Sequence, residues 1–596
     1  MSATDDLRRD HVAQWAFDTR PVLSRFHLWL EDVEHRRLDG DGKPGDEDTE
    51  CFVGNGLERA FITSTAVTAL GTYLFGRYGE GAGLDKAGIN RVKKDADAIS
   101  AYVMSEGLWH LTRNLPENHA VMICLGEGLM PKAGETPEMG SNPLLGFGRV
   151  YARPQVAKRL DGMIHLLLNE PNYGWDEFWN DIERSGITVW GGAVDTLECT
   201  SRFAKGEPTG PLTMIHFFDQ PIQVSCPYEG YVGTLMLPLA VVRQAEMDSL
   251  HISYRTPRAR ILGAIQQTYP DIPAERVHVW TLAGKSRAKR LSGLWQEWRD
   301  CGVHLVEDGW EVPGGYGAFT DSGTYTPSFK VGPFTDDDGQ RHLFLVDGYA
   351  ATAEAIQAAS LDPVLNTHTS MAHFSARFNA PHDRETGVLG LDPGAPDFAA
   401  TLHAHLGIEL NDELTEGYRA SIRAAHDAGM PIDKPFVTID DFLPRKKWRL
   451  LSLGSFMLPD PYTGAPGVEE VGDRTYRVTV HSGTRERRDE ICMTLRLMDT
   501  MPESKLIFSP LLDRFYATRE YKNRAVRISD SGRIRNELQT LCLEALDFLD
   551  GGRIMVHFDR VDEAVLSTEK RAFIREVLQW YKDRHPIWFR WLEIAS

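Results

Sequence analysis

From about residue 117 onwards, short apolar runs alternate with amphipathic segments, and this alternation constrains the fold more than any other feature of the chain. The runs lie at 120–125, 187–190, 212–218, 251–254, 277–282, 303–306 and 342–346. Such alternation is typical of βαβ units, in which helices cover both faces of a buried parallel sheet. The sequence therefore predicts an α/β fold with mostly parallel sheets.

The length of the chain predicts several domains. It has 596 residues, whereas single hydrophobic cores stop growing at about 250 to 300 residues. Residues 1–116 carry apolar side chains at helical spacing, which predicts a helical N-terminal region. A central α/β domain is expected at 117–360, and the His- and Pro-rich residues 361–412 are expected to form a connection or lid. Residues 413–596 are predicted to form a C-terminal α/β domain that includes a helix at 487–498.

The charge balance disfavours several classes of partner. The chain has 65 Lys+Arg against 85 Asp+Glu, a formal net charge of −20, which repels phosphate backbones and anionic bilayers at long range. The first 20 residues lack the apolar stretch of a secretory signal. The seven cysteines include no C-x-x-C pair, as is usual in a reducing compartment. We expect a cytoplasmic protein that binds neither nucleic acid nor membrane.

Two segments at the ends of predicted strands carry the clearest chemical signal, and each is read as a strand-to-helix turn. Small residues let backbone N–H groups approach an anion, and a helix N-terminus with nearby basic side chains favours negative charge. Both turns are therefore predicted to bind a phosphate or carboxylate, although a solvated first helical turn explains the same charges. The candidate anion-binding residues are Lys285, Ser286, Arg287, Ser482, Thr484 and Arg485.

Acidic residues and a histidine lie in or after other predicted strands. His216 and Asp219 belong to the segment around 212–218, and Glu307 follows the run at 303–306. If they converge at one sheet edge, such groups are able to transfer protons once burial brings their pKa values towards neutrality. We predict catalytic roles for these three residues, with capping carboxylates and a buried structural histidine as the alternative interpretation.

Histidines are concentrated in the predicted connection. His368, His373 and His382, with Asp383, offer imidazole and carboxylate ligands of the kind that bind divalent metals. No H-E-x-x-H pair accompanies them, and surface histidines explain the density equally well. The chain has neither an NAD fingerprint nor a P-loop. A divalent metal is therefore the cofactor that the sequence leaves open.

Two functions from different classes follow from these patterns. The first is a cytoplasmic metabolic enzyme that acts on a small anionic molecule, such as a phosphorylated metabolite, with isomerase or lyase chemistry because nucleotide signatures are absent. The second is a non-catalytic protein that self-assembles into a large homo-oligomer or filament. That interpretation rests on the aromatic residues Trp588, Phe589 and Trp591, since aromatic side chains are enriched at interface cores. A homo-oligomer is expected in either case.

Overall fold

The structure of the protein is a computed structural model. Two large sheets and the helices packed on them account for most of the described residues. The structure describes residues 3–38, 55–112, 115–126, 145–170, 172–223, 231–254, 256–281, 288–307, 309–315, 325–373, 391–406, 411–427, 436–445, 447–460, 464–498, 546–549, 553–560, 568, 572, 575, 579 and 592–595.

Helices and strands alternate along the chain, which confirms the α/β class. The first elements are α1 (Ala3–Arg25), β1 (Leu28–Arg37), α2 (Asn55–Phe75), α3 (Lys86–Leu111), β2 (His119–Leu125), β3 (Arg149–Ala152), α4 (Pro154–Asn169), α5 (Trp175–Ser185), β4 (Thr188–Glu198), α6 (Thr200–Lys205) and β5 (Leu212–Phe218). The middle elements are β6 (Tyr231–Pro238), α7 (Leu239–Met247), α8 (Arg258–Thr268), β7 (Val277–Trp280), α9 (Ala288–Asp300), β8 (His304–Leu305), α10 (Tyr325–Ser328), β9 (Gly332–Thr335), β10 (Arg341–Ala351), α11 (Thr352–Leu365) and β11 (Thr367–His373). The last elements are α12 (Phe398–Leu406), α13 (Asp412–Asp427), β12 (Phe436–Val437), α14 (Ile439–Phe442), β13 (Leu450–Phe456), β14 (Glu469–Gly472), β15 (Thr475–Gly483), β16 (Arg488–Leu497), β17 (Leu546–Leu549), β18 (Arg553–Val556) and β19 (Leu592–Ile594).

The larger sheet has nine strands in the order β1-β16-β15-β13-β5-β4-β2-β3, with β14 beside β15. Helices α2 and α3 pack on one face, where the ring centroids of Phe61 and Phe217 are 3.9 Å apart. Helices α4, α5 and α11 pack on the other face. The central strands β2, β4, β5 and β13 are therefore buried on both sides, which is why they read as apolar runs.

The smaller sheet has seven strands in the order β12-β11-β6-β10-β7-β8, with β9 beside β10. Helices α7, α8 and α9 pack against it, and strand β10 leads directly into α11. Helix α11 contacts β4 of the larger sheet and β6, β10 and β11 of the smaller one. Every residue from Glu354 to Leu361 is buried, so this helix belongs to the core of both sheets. A third sheet has the order β17-β18-β19.

The prediction of mostly parallel sheets is wrong. Among the described strands, parallel pairing is confined to β2–β4, β7–β10, β7–β8 and β18–β19. The other pairs, including β13–β5 and β15–β16, are antiparallel. An apolar run reports that both faces of a strand are covered and carries no information on the direction of its neighbours. Helices cover both faces here, so antiparallel strands produced the same signal.

Residues 488–497 form strand β16, so the prediction of a helix at 487–498 is wrong. Buried side chains alternate along the strand, at Ile491, Met493 and Leu495 among others. A period of two is the strand period. Strands β15 and β16 form a hairpin in which the N–H of Thr484 donates to the carbonyl of Arg487 at 2.8 Å. The expected strand-to-helix turn at Ser482, Thr484 and Arg485 is therefore a hairpin turn without a helix N-terminus.

The N-terminal region contains a strand that the sequence does not predict. Apolar side chains at 22–33 have helical spacing, but α1 ends at Arg25 and β1 begins at Leu28. Between them His27 adopts a left-handed conformation, with φ of 52°, which ends the helix. In β1 the side chains of Leu28 and Leu30 are buried and alternate with exposed ones. The short run fits both periods, and pairing with β16 decides between them.

Helices α2 and α3 lie within residues 1–116, for which the sequence predicts a helical region. Three buried threonines of α2, Thr65, Thr68 and Thr72, donate to carbonyl groups of the same helix. The hydroxyl of Thr68 donates to the carbonyl of Ser64, and that of Thr72 donates to the carbonyl of Thr68, both at 2.7 Å. In the part of the chain that the structure describes, no helix is long and apolar enough to cross a lipid bilayer.

The nine-stranded sheet takes its strands from distant parts of the chain. Strand β1 lies within 1–116, strands β2 to β5 lie within 117–360, and strands β13 to β16 lie within 413–596. Strand β11 and helix α12 lie within 361–412. The domain boundaries at these points stay predictions, and the segments on either side of them contribute to a common sheet.

A buried ion pair fastens helix α8 to the seven-stranded sheet. The side chains of Arg258 and Asp347 are fully buried, and two guanidinium N–H groups donate to the carboxylate at 2.6 and 2.7 Å. Trp298 of α9 donates its indole N–H to the same carboxylate at 2.7 Å. Burial raises the pKa of Asp347, and the Arg258 charge opposes that shift. The pair joins α8, α9 and β10.

Replacement of Asp347 by Ala is expected to destabilise the seven-stranded sheet by about 3 to 5 kcal/mol, because it leaves a buried guanidinium without its carboxylate. Asp271 and Arg341 form a matched exposed pair, 2.8 Å apart. Asp271→Ala is expected to change stability by no more than about 1 kcal/mol. The measurement is hydrogen exchange of the amides of β10. Equal losses in the two variants would contradict the central position of the buried pair.

Candidate functional site

A cavity of ≈ 380 Å³ lies where β1, β13, β15 and β16 of the larger sheet meet α10 and α11. Part of its wall is apolar and comes from the side chains of Leu38, Phe329, Leu361, Phe456 and Pro466. Hydroxyl, carboxyl and imidazole groups from four different segments form the other part, which includes Thr326, Ser452, Asp460, His481 and Ser482. Apolar walls with a few convergent polar groups are typical of small-molecule sites.

Two glycines line the cavity. Gly454 of β13 lies directly opposite His481 of β15 in the sheet register and contributes no side chain at that position. At Gly483 a β-carbon would lie 3.1 Å from Cδ2 of Leu361 on α11. The helix therefore approaches the strand closely at one end of the cavity.

His481 is a titratable group of the cavity whose pKa is shifted by its surroundings. Burial lowers its pKa, Glu490 opposes the shift, and the charges of Arg488 and Arg36 reinforce it. The Nε2 atom is buried and has no hydrogen-bond partner within the described residues. The ring lies edge-on to Phe456, with centroids 6.1 Å apart. At neutral pH the side chain is an uncharged imidazole that is able to accept a proton.

Two further polar groups, from outside the sheet, line the same cavity as His481. Thr326 of α10 is buried, and its hydroxyl has no hydrogen-bond partner among the described residues. Asp460, which follows β13, is also buried, and its backbone N–H donates to the carbonyl of Ala465 at 2.9 Å. Burial lowers the pKa of nearby Lys330, and the negative charge of Asp460 opposes that shift. The cavity thus places a carboxyl group and a neutral imidazole around one space.

Ion pairs organise the side of the cavity formed by β1 and β16. Arg36 pairs with Glu490 at 2.9 Å, and His35 lies 3.2 Å from Asp489. Burial opposes ionisation of Asp489, but the hydrogen bond from His35 and the charge of Arg487 lower its pKa below the usual range. These pairs fix the positions of the charged side chains at the cavity.

Ser482 is the predicted anion-binding residue that lines the cavity, and it is buried. The hydroxyl of Thr484 accepts N–H groups of the hairpin turn at 3.2 Å. The guanidinium of Arg485 lies 4.1 Å from the ring centroid of Trp448. The other predicted anion site, Lys285, Ser286 and Arg287, lies outside the described residues.

The three predicted acid–base residues lie in separate places. His216 is fully buried in β5, where burial holds its pKa well below the ordinary value. Asp219, just beyond β5, accepts the backbone N–H of Arg449 at 2.9 Å and its guanidinium at 3.2 Å. Glu307 is exposed after β8 of the other sheet, where its charge raises the pKa of His304 while burial lowers it. Their catalytic roles stay predictions.

The predicted metal ligands are described only in part. His368 lies on β11 beside Asp362. Burial raises the pKa of Asp362, and its hydrogen bonds with Thr367 and Thr369 only partly offset that rise. His373 ends β11, and His382 and Asp383 lie outside the described residues. Binding of a divalent metal at these positions stays a prediction. In the described ranges, the potential metal-ligating side chains that converge within 4.8 Å are Asp195, Glu198 and Glu354.

Sequence reasoning missed three residues of the cavity. His481 closes the strand predicted at 476–481, and its alternation with Val480 places it on the opposite face from the apolar side chains. That alternation is a signal that would have singled it out. Asp460 and Thr326 lie in segments without a periodic pattern, and only the folded chain brings them to β15.

Comparison with protein families and with curated proteins identifies no family for this chain. No protein-family model matches the sequence, and no curated protein matches it significantly. The function is therefore argued from the chemistry of the site.

The stability of the protein is expected to fall in acid partly because of His481. Its folded pKa lies below the unfolded value of about 6.5. The unfolded state therefore takes up the proton first, so this contribution is complete above pH 6.5 and is lost as the pH falls through the folded pKa. The variant His481→Asn is expected to lose less thermal stability than the parent between pH 7.5 and 5.0.

The matched control for that comparison is His251→Asn, because His251 is an exposed residue outside the cavity. Its loss of thermal stability over the same pH range is expected to equal that of the parent. A His481→Asn variant that loses as much stability as the parent would show that the imidazole is not held neutral by burial.

Proposed function

We propose that the protein is a metabolic enzyme of isomerase or lyase type that binds a small anionic molecule in the cavity and transfers a proton of that molecule. The observation that carries the proposal is the buried Nε2 atom of His481, a neutral base without a hydrogen-bond partner among the described residues. A ligand with a donor group or an acidic proton would satisfy it.

The size of the cavity supports a small substrate. Ligand pockets in proteins typically have volumes of about 300 to 1,000 Å³, and ≈ 380 Å³ lies near the lower end. Phe329, Leu361 and Phe456 would exclude water from the reacting centre. In such surroundings hydrogen bonds and charges act more strongly than in water.

The guanidinium and hydroxyl groups of the cavity suit an anionic ligand, and two of the carboxylates that line it, Asp489 and Glu490, are paired with His35 and Arg36. Arg488 lines the cavity beside the hydroxyl groups of Ser482 and Thr326, and the guanidinium lies 5.9 Å from the ring centroid of Phe329. Guanidinium and hydroxyl donors are the usual partners of carboxylate and phosphate oxygens. In this arrangement Ser482 keeps the binding role that the sequence predicts for it.

Isomerisation requires a group that takes a proton from one position of the substrate and returns it at another. The neutral imidazole of His481 takes the proton, and the resulting imidazolium, which the carboxylate of Asp460 in the same cavity favours, returns it. General acid–base catalysis by a positioned side chain contributes about 10² to 10⁴ in rate. Isomerases and lyases rely on this chemistry and need no nucleotide. A cytoplasmic location and a homo-oligomeric state stay predictions. The aromatic residues on which the self-assembly hypothesis rests, Trp588, Phe589 and Trp591, lie outside the described residues.

The proposal is tested in two steps with the full chain. A thermal-shift screen of small carboxylates and phosphorylated metabolites identifies a ligand, since a compound that binds the native state raises the unfolding temperature. Each hit is then incubated with the protein in D₂O, and exchange of carbon-bound hydrogen is followed by NMR. We expect exchange in the parent and a decrease of about 10² to 10⁴ in His481→Gln.

The control is His251→Gln, which is expected to exchange at the parental rate because His251 lies outside the cavity. Ser482→Ala separates binding from chemistry: it should weaken binding by roughly tenfold, as expected for loss of one hydrogen bond to a charged group. An empty screen, or equal exchange in the parent and His481→Gln, would overturn the proposal.

A further inference from the structure

Three imidazoles and a carboxylate form a continuous hydrogen-bonded array at one edge of the seven-stranded sheet. Nδ1 of His278 on β7 lies 2.9 Å from Nδ1 of His304 on β8. Nε2 of His278 lies 2.9 Å from Nδ1 of His342 on β10. Nε2 of His342 lies 3.1 Å from the carboxylate of Asp336, which follows β9. None of these residues lines the cavity described above.

The alignment of the rings is that of hydrogen bonds and not of ligands around a shared metal. Centroids of His278 and His304 are 5.0 Å apart, and those of His278 and His342 are 5.1 Å apart. In each pair the distance between ring centroids is larger than the N···N distance by about the diameter of one imidazole ring. This is the difference expected when each nitrogen lies on the line between the two centroids, so the paired nitrogens point at each other. Nitrogens that shared a metal would instead converge on a point beside the line between the rings.

The donor and the acceptor in each hydrogen bond of the array follow from the number of protons that the groups carry. Each link holds one proton, and an ionised Asp336 accepts from Nε2 of His342. The Nδ1 atom of a neutral His342 is then bare and accepts from Nε2 of His278. By the same step Nδ1 of His278 accepts from Nδ1 of His304. The remaining nitrogen, Nε2 of His304, therefore carries a lone pair at the outer end of the array.

The surroundings favour the neutral form of two of the imidazoles, those of His278 and His304. His278 and His342 are buried, while His304 is partly exposed. Burial lowers the pKa of His278 to about 3, and the neighbouring imidazoles add to the shift. Burial also lowers the pKa of His304, which the charge of Glu307 opposes. The hydrogen bond from His342 lowers the pKa of Asp336.

The other groups that face the array are mostly aromatic. The ring of Trp310 lies 4.6 Å from that of His278, and Phe334 stacks on His342 at 5.2 Å. The ammonium group of Lys330 lies 4.9 Å from the ring centroid of Phe334, the aromatic ring that stacks on His342. Two more acids, Asp337 and Asp338, lie in the exposed turn after Asp336.

We propose that this array is a second proton-transfer site, in which Nε2 of His304 acts as the base towards a hydroxyl group or water and the other three residues position and polarise it. The oxygen of the ligand loses its proton, and a new N–H bond forms at Nε2. The proton on Nδ1 moves to His278, and that on Nε2 of His278 moves to His342. The positive charge arrives on His342 beside Asp336, and the oxygen is left as a nucleophile.

Glu307 enters this site in a different role from the one the sequence predicts. Its charge favours the protonated form of His304, so it strengthens the base without touching the array. His278, His342 and Asp336 are positioning residues, since they act through His304. The arrangement extends the principle by which a carboxylate orients a catalytic histidine and stabilises its imidazolium form. It does not depend on the proposed reaction in the cavity.

The test uses diethyl pyrocarbonate, which acylates bare imidazole nitrogens, with peptide mass spectrometry of the folded full chain at several pH values. We expect modification of His304, and protection of His278 and His342 because both of their nitrogens are engaged. The variant Asp336→Asn removes the charge at the inner end. The rate at His304 above pH 7 is expected to fall about threefold for each unit by which its pKa falls, since the rate of a neutral nucleophile changes less steeply than its proton affinity, and Asp336→Glu is expected to restore most of it.

The matched control is Asp337→Asn, which removes the same charge from the same exposed turn and is expected to leave the rate at His304 unchanged. Thermal unfolding of each variant confirms that the fold is retained. An unreactive His304 in the parent would overturn the proposal. So would equal rates in the parent and Asp336→Asn, or equal losses in Asp336→Asn and Asp337→Asn.

Discussion

The structure depends on one helix that is buried from both sides. Helix α11 lies between the nine-stranded and the seven-stranded sheet, and the residues from Glu354 to Leu361 have no exposed face. The small side chains of Ala355, Ala358 and Ala359 allow both sheets to pack close to the helix axis. Ala355 and Ala359 belong to the core of the larger sheet, and Ala358 belongs to the core of the smaller one. A helix in this position couples the sheets, because a shift of its axis disturbs close packing on both sides at once.

Helix α11 also explains why a cavity exists beside tightly packed layers. Leu361 approaches the backbone of β15 at Gly483, where an added β-carbon would lie 3.1 Å from Cδ2 of Leu361 and would require that side chain to shift slightly. Gly454, which pairs with His481 in the sheet register, contributes no side chain there. Both glycines line the same cavity as the polar groups of β13, β15 and α10.

The pattern of apolar residues predicted the positions of several strands and helices. It did not predict the directions of neighbouring strands or the contacts between distant segments. Strands β5 and β7 lie where the apolar runs at 212–218 and 277–282 place them, because burial on both faces leaves a run of apolar side chains in the sequence. The directions of the strands were missed, since direction is set by the order of connections and not by burial. The period of two at 488–497 was read as helical because the run is short. His481 and Asp460 meet through contacts between segments, and no local pattern records such a meeting.

The pairing of β1 with β16 has a consequence for how the chain is made. Leu28 pairs with Leu497 and Arg37 with Asp489, so an edge of the larger sheet joins the two ends of a very long loop. During synthesis at about 5 to 20 residues per second, β1 emerges roughly half a minute to a minute and a half before its partner. Throughout that time its backbone N–H and C=O groups have no strand to pair with, and such an edge is a template for association with other chains. The completion of this sheet is therefore a late event, and the nascent N-terminus needs protection until the ribosome has delivered β16.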